Sequence, residues 1–319
     1  MRKEQKTRQE ETKEQKQLNR GAFSIVYRPP ISLQQQTSYV VKQPIASLPQ
    51  QKRQKIMRSY MVQKKILDYL YEKNPTKSSL FNKIYQITQH HVKMKDLGDT
   101  DLSTLFLEHP DWLSHDLDNV IAQIVDAFLT IWKSLIVHRD IKMENLMARY
   151  NPETHHIDIS VIDFADSLPR SQIEKQHSFS FAGTPCFMSP ELLVRIYSKP
   201  HNNSPGTWRE YVANDLWALG LMLYYLIYGK HLCNMFKDMF FGNRVPTPPK
   251  LYQNLKNWPD RYNDLFPTDH LPENKKQYVP LLRRLLSFDP NDRLRWLNEK
   301  VRQQRKQQLS SPSKKSRKQ

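Results

Sequence analysis

Four polar side chains hold the chemistry this chain can offer. Residues 137–146 read VHRDIKMENL and carry Asp140, Lys142 and Asn145; Asp163 follows in Ile162-Asp163-Phe164-Ala165. A carboxylate can orient a hydroxyl and accept its proton. An ammonium two residues on can meet an anionic group. Asn145 and Asp163 offer oxygen donors of the kind a hard cation such as magnesium takes. Each side chain alone has a plainer reading, as a helix N-cap for Asn145 or Asp163 and as a surface ion pair for Asp140 and Lys142. What sets them apart is the ordered company they keep. Gly183-Thr184-Pro185, Ser189-Pro190-Glu191, Asp215-Leu216-Trp217-Ala218-Leu219-Gly220 and Asp289-Pro290-Asn291-Asp292-Arg293 follow in turn.

The elements that must position these residues fall into two halves. In the first hundred residues a glycine, Gly21, sits between strand-like runs over 18–26, and SYVVK (38–42) reads as a strand ending on Lys42. Residues 49–71 place Ile56, Met57, Tyr60, Met61, Leu67 and Leu70 at helical spacing. Two more short strands are expected over 81–88 and 91–94. From Asp101 onward helices dominate: 117–136, 215–228, 277–287 and a polar basic one from about 297. Short strands near 145–148 and 157–162 interrupt them, the second through the alternation of Ile157, Ile159 and Val161 with Asp158 and Ser160. Residues 198–209 (SKPHNNSPGTWR) read as a loop.

The ordered motifs resemble the protein kinase family, serine/threonine class, over residues 18–295. The resemblance implies an α+β, bilobal fold: a small β-rich lobe with one main helix (about 17–95) and a larger, mainly helical lobe (about 99–295). It implies transfer of the γ-phosphoryl group of ATP to protein Ser/Thr hydroxyls with Mg2+. Asp140 then is the base, Lys142 meets the transferred phosphate, and Asn145 and Asp163 hold magnesium. Lys42 grips the nucleotide phosphates beneath a loop containing Gly21. Val26 and Val40 roof the adenine slot and Leu146 floors it, with the hinge within residues 94–98 and either Met94 or Lys95 at its back. Lys142 and Thr184 point to the serine/threonine class. Ser180 is the expected regulatory phosphosite, with Arg139 as its phosphate partner and Ser178 second. Glu191 with Arg293 is a scaffold ion pair, Asp215 supports the catalytic loop from below, and Trp217 and Gly220 pack with them.

The chain departs from the family's pattern at four places. Asn19 and Ser24 stand where the phosphate loop carries its outer glycines. Gln63 aligns with the helix glutamate that partners the lysine, and no Asp or Glu occurs between Lys42 and Asp68. A glutamine can accept from Lys42 only as a neutral partner. Ala165 replaces the glycine after Phe164, where a methyl group restricts the backbone. These departures motivate a rival reading, a kinase-like scaffold or weakly active pseudokinase that serves as a binding module.

With 319 residues the chain can bury a large core. Its formal charge of +17 is concentrated in two places, Lys52–Lys65 and the chain after Glu299. Such clusters serve either as solvated faces or as sites for an acidic or phosphorylated partner, and nucleic acid is not required. Residues 1–16 read as a charged flexible arm and 296–319 as a basic helix and tail. Two cysteines, Cys186 and Cys233, make neither a metal-ligand spacing nor a disulfide framework, which suits a cytoplasmic or nuclear setting. The first residues lack the apolar core of a secretory signal. The longest near-apolar run, 216–228, is shorter than a membrane span and is expected to be a buried helix.

Overall fold

The computed structural model describes residues 16–20, 23–29, 38–98, 100–180, 182–184, 187–197, 204–230, 232 and 265–310. Gly21, Pro185, both cysteines and residues 311–319 lie outside them, as does the side chain of Asn19. The chain divides into two compact units that interleave in sequence, Met1–Ala127 with Met143–Ala165, and Phe128–Lys142 with Asp166–Gln319.

The first unit is built on an antiparallel sheet of five strands: β1 (Lys16–Arg20), β2 (Ser24–Arg28), β3 (Tyr39–Pro44), β4 (Ile84–Ile87) and β5 (Val92–Lys95), in the order β1-β2-β3-β5-β4. Val26 pairs with Lys42, Lys42 with Val92, Val40 with Met94 and Ile84 with Met94. Paired residues of an antiparallel ladder share a face. One face of the sheet therefore presents Val26, Val40, Lys42 and Met94 together. Lys95 falls on the other face, so of the two residues expected at the back of the slot it is Met94 that shares the face of Val26 and Val40.

Helix α1 (Gln50–Lys73) accompanies this sheet and buries Met57, Tyr60, Gln63, Ile66, Leu67 and Leu70, a stripe at three- and four-residue spacing. Helix α1 ends at Asn74, whose Nδ2 donates to the carbonyl of Leu70 at 3.2 Å. A 3-10 turn (Pro75–Leu80) leads to β4. Three helices follow β5: α2 (Leu102–Glu108), α3 (Pro110–His115) and α4 (Leu117–Lys133). Asp101 caps α2, accepting from the Thr104 amide at 2.9 Å. A second antiparallel ladder, β6 (Ile136–Val137) aside, is formed by β7 (Leu146–Asn151) and β8 (His156–Val161). A 3-10 turn, Met143–Asn145, precedes it.

In the second unit β6 pairs with β9 (Leu168–Pro169), and the helices that follow among the described residues are α5 (Arg170–Ile173), α6 (Pro190–Tyr197), α7 (Trp208–Tyr228), α8 (Glu273–Lys276), α9 (Val279–Leu285) and α10 (Pro290–Ser310). The expected run over 215–228 is the buried body of α7, whose residues Tyr211–Tyr224 are buried without a break. No helix among the described residues is long and apolar enough to cross a membrane. At Gly220 a Cβ would come within 2.9 Å of Leu285 and Leu286, so α7 can lie this close to α9 only with glycine there.

Two helices begin earlier than their periodicity suggests, and capping explains both. Helix α7 starts at Trp208, inside the expected loop, because Thr207 and Glu210 form a reciprocal capping box: the Glu210 amide donates to Thr207 Oγ1 at 3.3 Å and the Thr207 amide to Glu210 Oε2 at 2.6 Å. Helix α10 starts at Pro290 rather than near 297. Asp289 accepts from the Asn291 amide at 2.9 Å, and proline suits a first helical position.

Candidate functional site

The second unit brings three candidate residues into a closed triangle. Lys142 Nζ lies 2.7 Å from Asp140 Oδ2 and donates to Thr184 Oγ1 at 3.1 Å. Thr184 Oγ1 in turn donates to Asp140 Oδ1 at 2.9 Å. All three side chains keep some exposure, so the carboxylate is held yet reachable. The approach of Thr184 depends on Gly183. Its φ is +97°, and a Cβ there would stand 2.2 Å from the Arg139 carbonyl oxygen. The residue before Asp140 is itself bent into the left-handed region, with Arg139 at φ 73°.

Beneath this loop sits Asp215, buried in α7. It accepts from the His138 amide (2.8 Å), the Arg139 amide (2.9 Å) and Trp132 Nε1 (3.1 Å). Burial pushes its carboxyl upward, while those three donors pull the other way. A carboxyl group at this spot fixes two successive amides of the loop. Arg293, wholly buried, pairs with Glu191 and lies over the Trp217 ring at 5.5 Å.

The first unit holds the other candidates. Lys42 stands in β3 with Nζ 5.5 Å from the centroid of Tyr60 on α1. Burial works against its charge, but Tyr60 and Asp163 outweigh burial and raise its pKa. Lys42 therefore stays protonated, and Asp163 is a carboxylate whose charge acts on it. Asn145 is buried at the end of its 3-10 turn, and its carbonyl accepts from the Ile162 amide at 2.9 Å, the link that sets the residue before Asp163. Leu146 and Val40 are buried; Val26 is half-buried. Asp163 has φ 59°. The next side chain, Phe164, is fully buried and meets Phe81 edge-on at 6.4 Å. Ala165 does not share the positive φ of Asp163, so its methyl group meets no backbone conflict in this state.

A family model described as the protein kinase domain matches residues 12–304. The chain belongs to the protein kinase family. Its two units are the β-rich and the helical part of that α+β, bilobal fold. Among similar proteins, myosin light chain kinase A of Dictyostelium discoideum is 25% identical over 299 residues, 88% of this chain and 83% of its own. A putative serine/threonine-protein kinase of Acanthamoeba polyphaga mimivirus is 24% identical over 258 residues, 73% of this chain and 81% of its own. Serine/threonine-protein kinase 1 of Lymantria dispar multicapsid nuclear polyhedrosis virus is 25% identical over 159 residues, and the match spans half of each chain.

Several side chains of this kinase matter to the site without having stood out in the sequence. Asp96, at the end of β5, is 4% exposed and receives Arg28 in a two-pronged ion pair (2.7 and 2.9 Å), Ser38 Oγ (3.0 Å) and the Gly98 amide (3.0 Å). Its backbone carbonyl takes Arg149 Nη2 at 2.9 Å. The segment after β5, where the hinge is expected, is thus tied to β2, to the start of β3 and to β7 at once. Tyr211 clamps the activation segment: its hydroxyl donates to the Ser180 carbonyl at 2.8 Å and accepts from the Ser180 amide at 3.1 Å. Arg139 Nη2 donates to the Ser180 carbonyl (2.9 Å) and Oγ (3.1 Å), so the expected phosphosite already faces its expected arginine. Asp96 lay inside the short expected hinge with no signal of its own, and Tyr60 was hidden among apolar residues of one helix face.

Proposed function

We propose that this protein is a serine/threonine kinase that transfers the γ-phosphoryl group of ATP to hydroxyls of protein substrates. The observation that carries the reading is the triangle of Asp140, Lys142 and Thr184. Asp140 keeps one carboxylate oxygen on Thr184 and the other on Lys142, which orients it to accept the proton of an incoming Ser or Thr hydroxyl. Lys142 places a positive charge beside that carboxylate, where charge builds as the phosphoryl group moves. Thr184 supplies a hydroxyl next to the seat of the substrate hydroxyl.

The residues of the first unit fit a nucleotide and magnesium. Asn145 and Asp163 are oxygen donors, one amide and one carboxylate, as magnesium accepts when phosphates and water complete its shell. Bound there, the ion would neutralise phosphate charge. Lys42, held protonated, would grip the phosphates, with Gly21 in the loop above. Val26 and Val40 would cover the adenine and Leu146 would lie under it. Protein substrates, a cytoplasmic or nuclear setting, and recruitment of an acidic or phosphorylated partner by the basic helix and tail belong to the same proposal.

The test is the substitution Asp140→Asn. It is expected to lower kcat by about 10²–10⁴-fold, since a positioned base contributes that much. The KM for ATP should hardly move, because Asp140 acts on the hydroxyl rather than the nucleotide. Phosphoamino-acid analysis of the wild-type product should give phosphoserine and phosphothreonine. Mainly phosphotyrosine, or an Asp140→Asn variant of full activity, would refute the assignment.

A further inference from the structure

The lysine of this site lacks the acidic helix partner that its family pattern supplies, and the structure shows what stands near it instead. Gln63, at the expected position, is buried on α1, yet no hydrogen bond joins it to Lys42 among the described residues. Tyr60, one turn earlier, is buried on the same stripe at 5% exposure. Its ring receives the Lys42 ammonium at 5.5 Å from the centroid, within the reach of a cation–π attraction. Against the penalty of burial, Tyr60 and Asp163 both favour the charged form of Lys42 and raise its pKa. The same helix carries no carboxylate before Asp68, and Asp68 is engaged at 2.8 Å by its own neighbour Lys64 on the exposed face.

We propose that Tyr60 is the positioning residue for Lys42, taking over from α1 the task of aiming the ammonium at the nucleotide phosphates. The argument rests on the kinase reading. A neutral phenol does this differently from a carboxylate. It holds the lysine by a ring face while leaving its positive charge uncompensated on that side. The full charge remains for Asp163 and for the phosphates. The arrangement also explains how the helix can do without its acid. What the ammonium needs from α1 is a fixed direction, and a buried aromatic ring with two side-chain torsions gives that at low entropic cost.

The experiment uses the full chain with Tyr60→Phe, Tyr60→Leu and Gln63→Ala. Tyr60→Leu keeps a buried apolar side chain and removes the ring face; kcat/KM for ATP and the affinity for ATP should both fall by about tenfold, as for one lost desolvated cation–π contact, whereas Tyr60→Phe, which keeps the ring, should stay close to wild type. The KM for the protein substrate should stay put, and Gln63→Ala should change kcat/KM less than twofold. A second readout does not depend on catalysis. With lysines carrying ¹³C-methyl groups and the Lys42 resonance assigned through Lys42→Arg, Tyr60→Leu should abolish the ring-current displacement of that resonance, whereas Gln63→Ala should leave it in place. An unmoved Lys42 signal in Tyr60→Leu, or a Tyr60→Leu enzyme within twofold of wild type in ATP handling, overturns the proposal. A wild type that binds ATP but transfers no phosphate fails the kinase reading separately, and the ATP affinity of Tyr60→Leu still decides the role of Tyr60. A wild type that binds no ATP overturns both.

Discussion

At Asp96, donors from separate stretches of the chain converge on one buried carboxylate. Burial alone would push its pKa up, but Arg28, the Gly98 amide and Ser38 outweigh it and hold the carboxyl below its usual range. A carboxyl lowered in the folded state adds stability that is fully present above its unfolded value, about 4, and is lost as pH falls through the folded value. Asp96→Asn is therefore expected to lose about 2 kcal/mol at pH 7, where charged hydrogen bonds are worth that much. The gap to wild type should close as pH drops below 4 in denaturant titrations. A gap that stays constant from pH 7 to pH 3 would mean the carboxylate's charge is not what Arg28 and Ser38 use. Asp140, Lys142, Asn145 and Asp163 were legible in the sequence because they lie in short contiguous motifs whose order survives without knowledge of the fold. Asp96 and Tyr60 were not, since their roles depend on which distant groups the sheet register and helix rotation bring to them.

Among the elements, α10 ties the second unit together. It packs along α7, with Leu294 and Trp296 buried and Arg293 wholly enclosed beside Trp217. The helix runs through residue 295 without interruption and continues to Ser310. Its outer residues are basic and exposed, which is why charge alone made it look like an appendage. Ending the chain after Arg295 removes the buried Trp296, and loss of a buried tryptophan side chain costs about 3–5 kcal/mol. That truncation is expected to lower Tm by several degrees, whereas ending the chain after Ser310 should leave Tm unchanged. Equal melting of the two truncations would show that the helix beyond Arg295 adds nothing to the unit. The strands and the core of α7 were readable from alternation and apolar runs. The starts of α7 and α10 were not, because Thr207-Glu210 and Asp289-Pro290 act through capping rather than periodicity.

For the whole molecule, the kinase reading joins two sets of residues carried by two interleaved units. The first holds Lys42, Asn145 and Asp163, the second Asp140, Lys142 and Thr184. Three features set this chain apart from its family pattern, and two have a structural answer. Ala165 avoids the left-handed backbone that Asp163 adopts, and Lys42 has Tyr60 against it although Gln63 bears no charge. The third, a phosphate loop left with Gly21 alone of its glycines, falls outside the described residues at that glycine. These answers favour a working enzyme over a scaffold that has kept only the fold.

The most direct measurement is phosphate transfer from labelled ATP with magnesium, to the protein itself and to generic basic and acidic proteins, with Asp163→Asn as control. The account predicts label on Ser or Thr that disappears in Asp163→Asn while that variant remains folded. No incorporation by folded wild-type protein above the Asp163→Asn control would contradict it and leave the binding-module reading in its place.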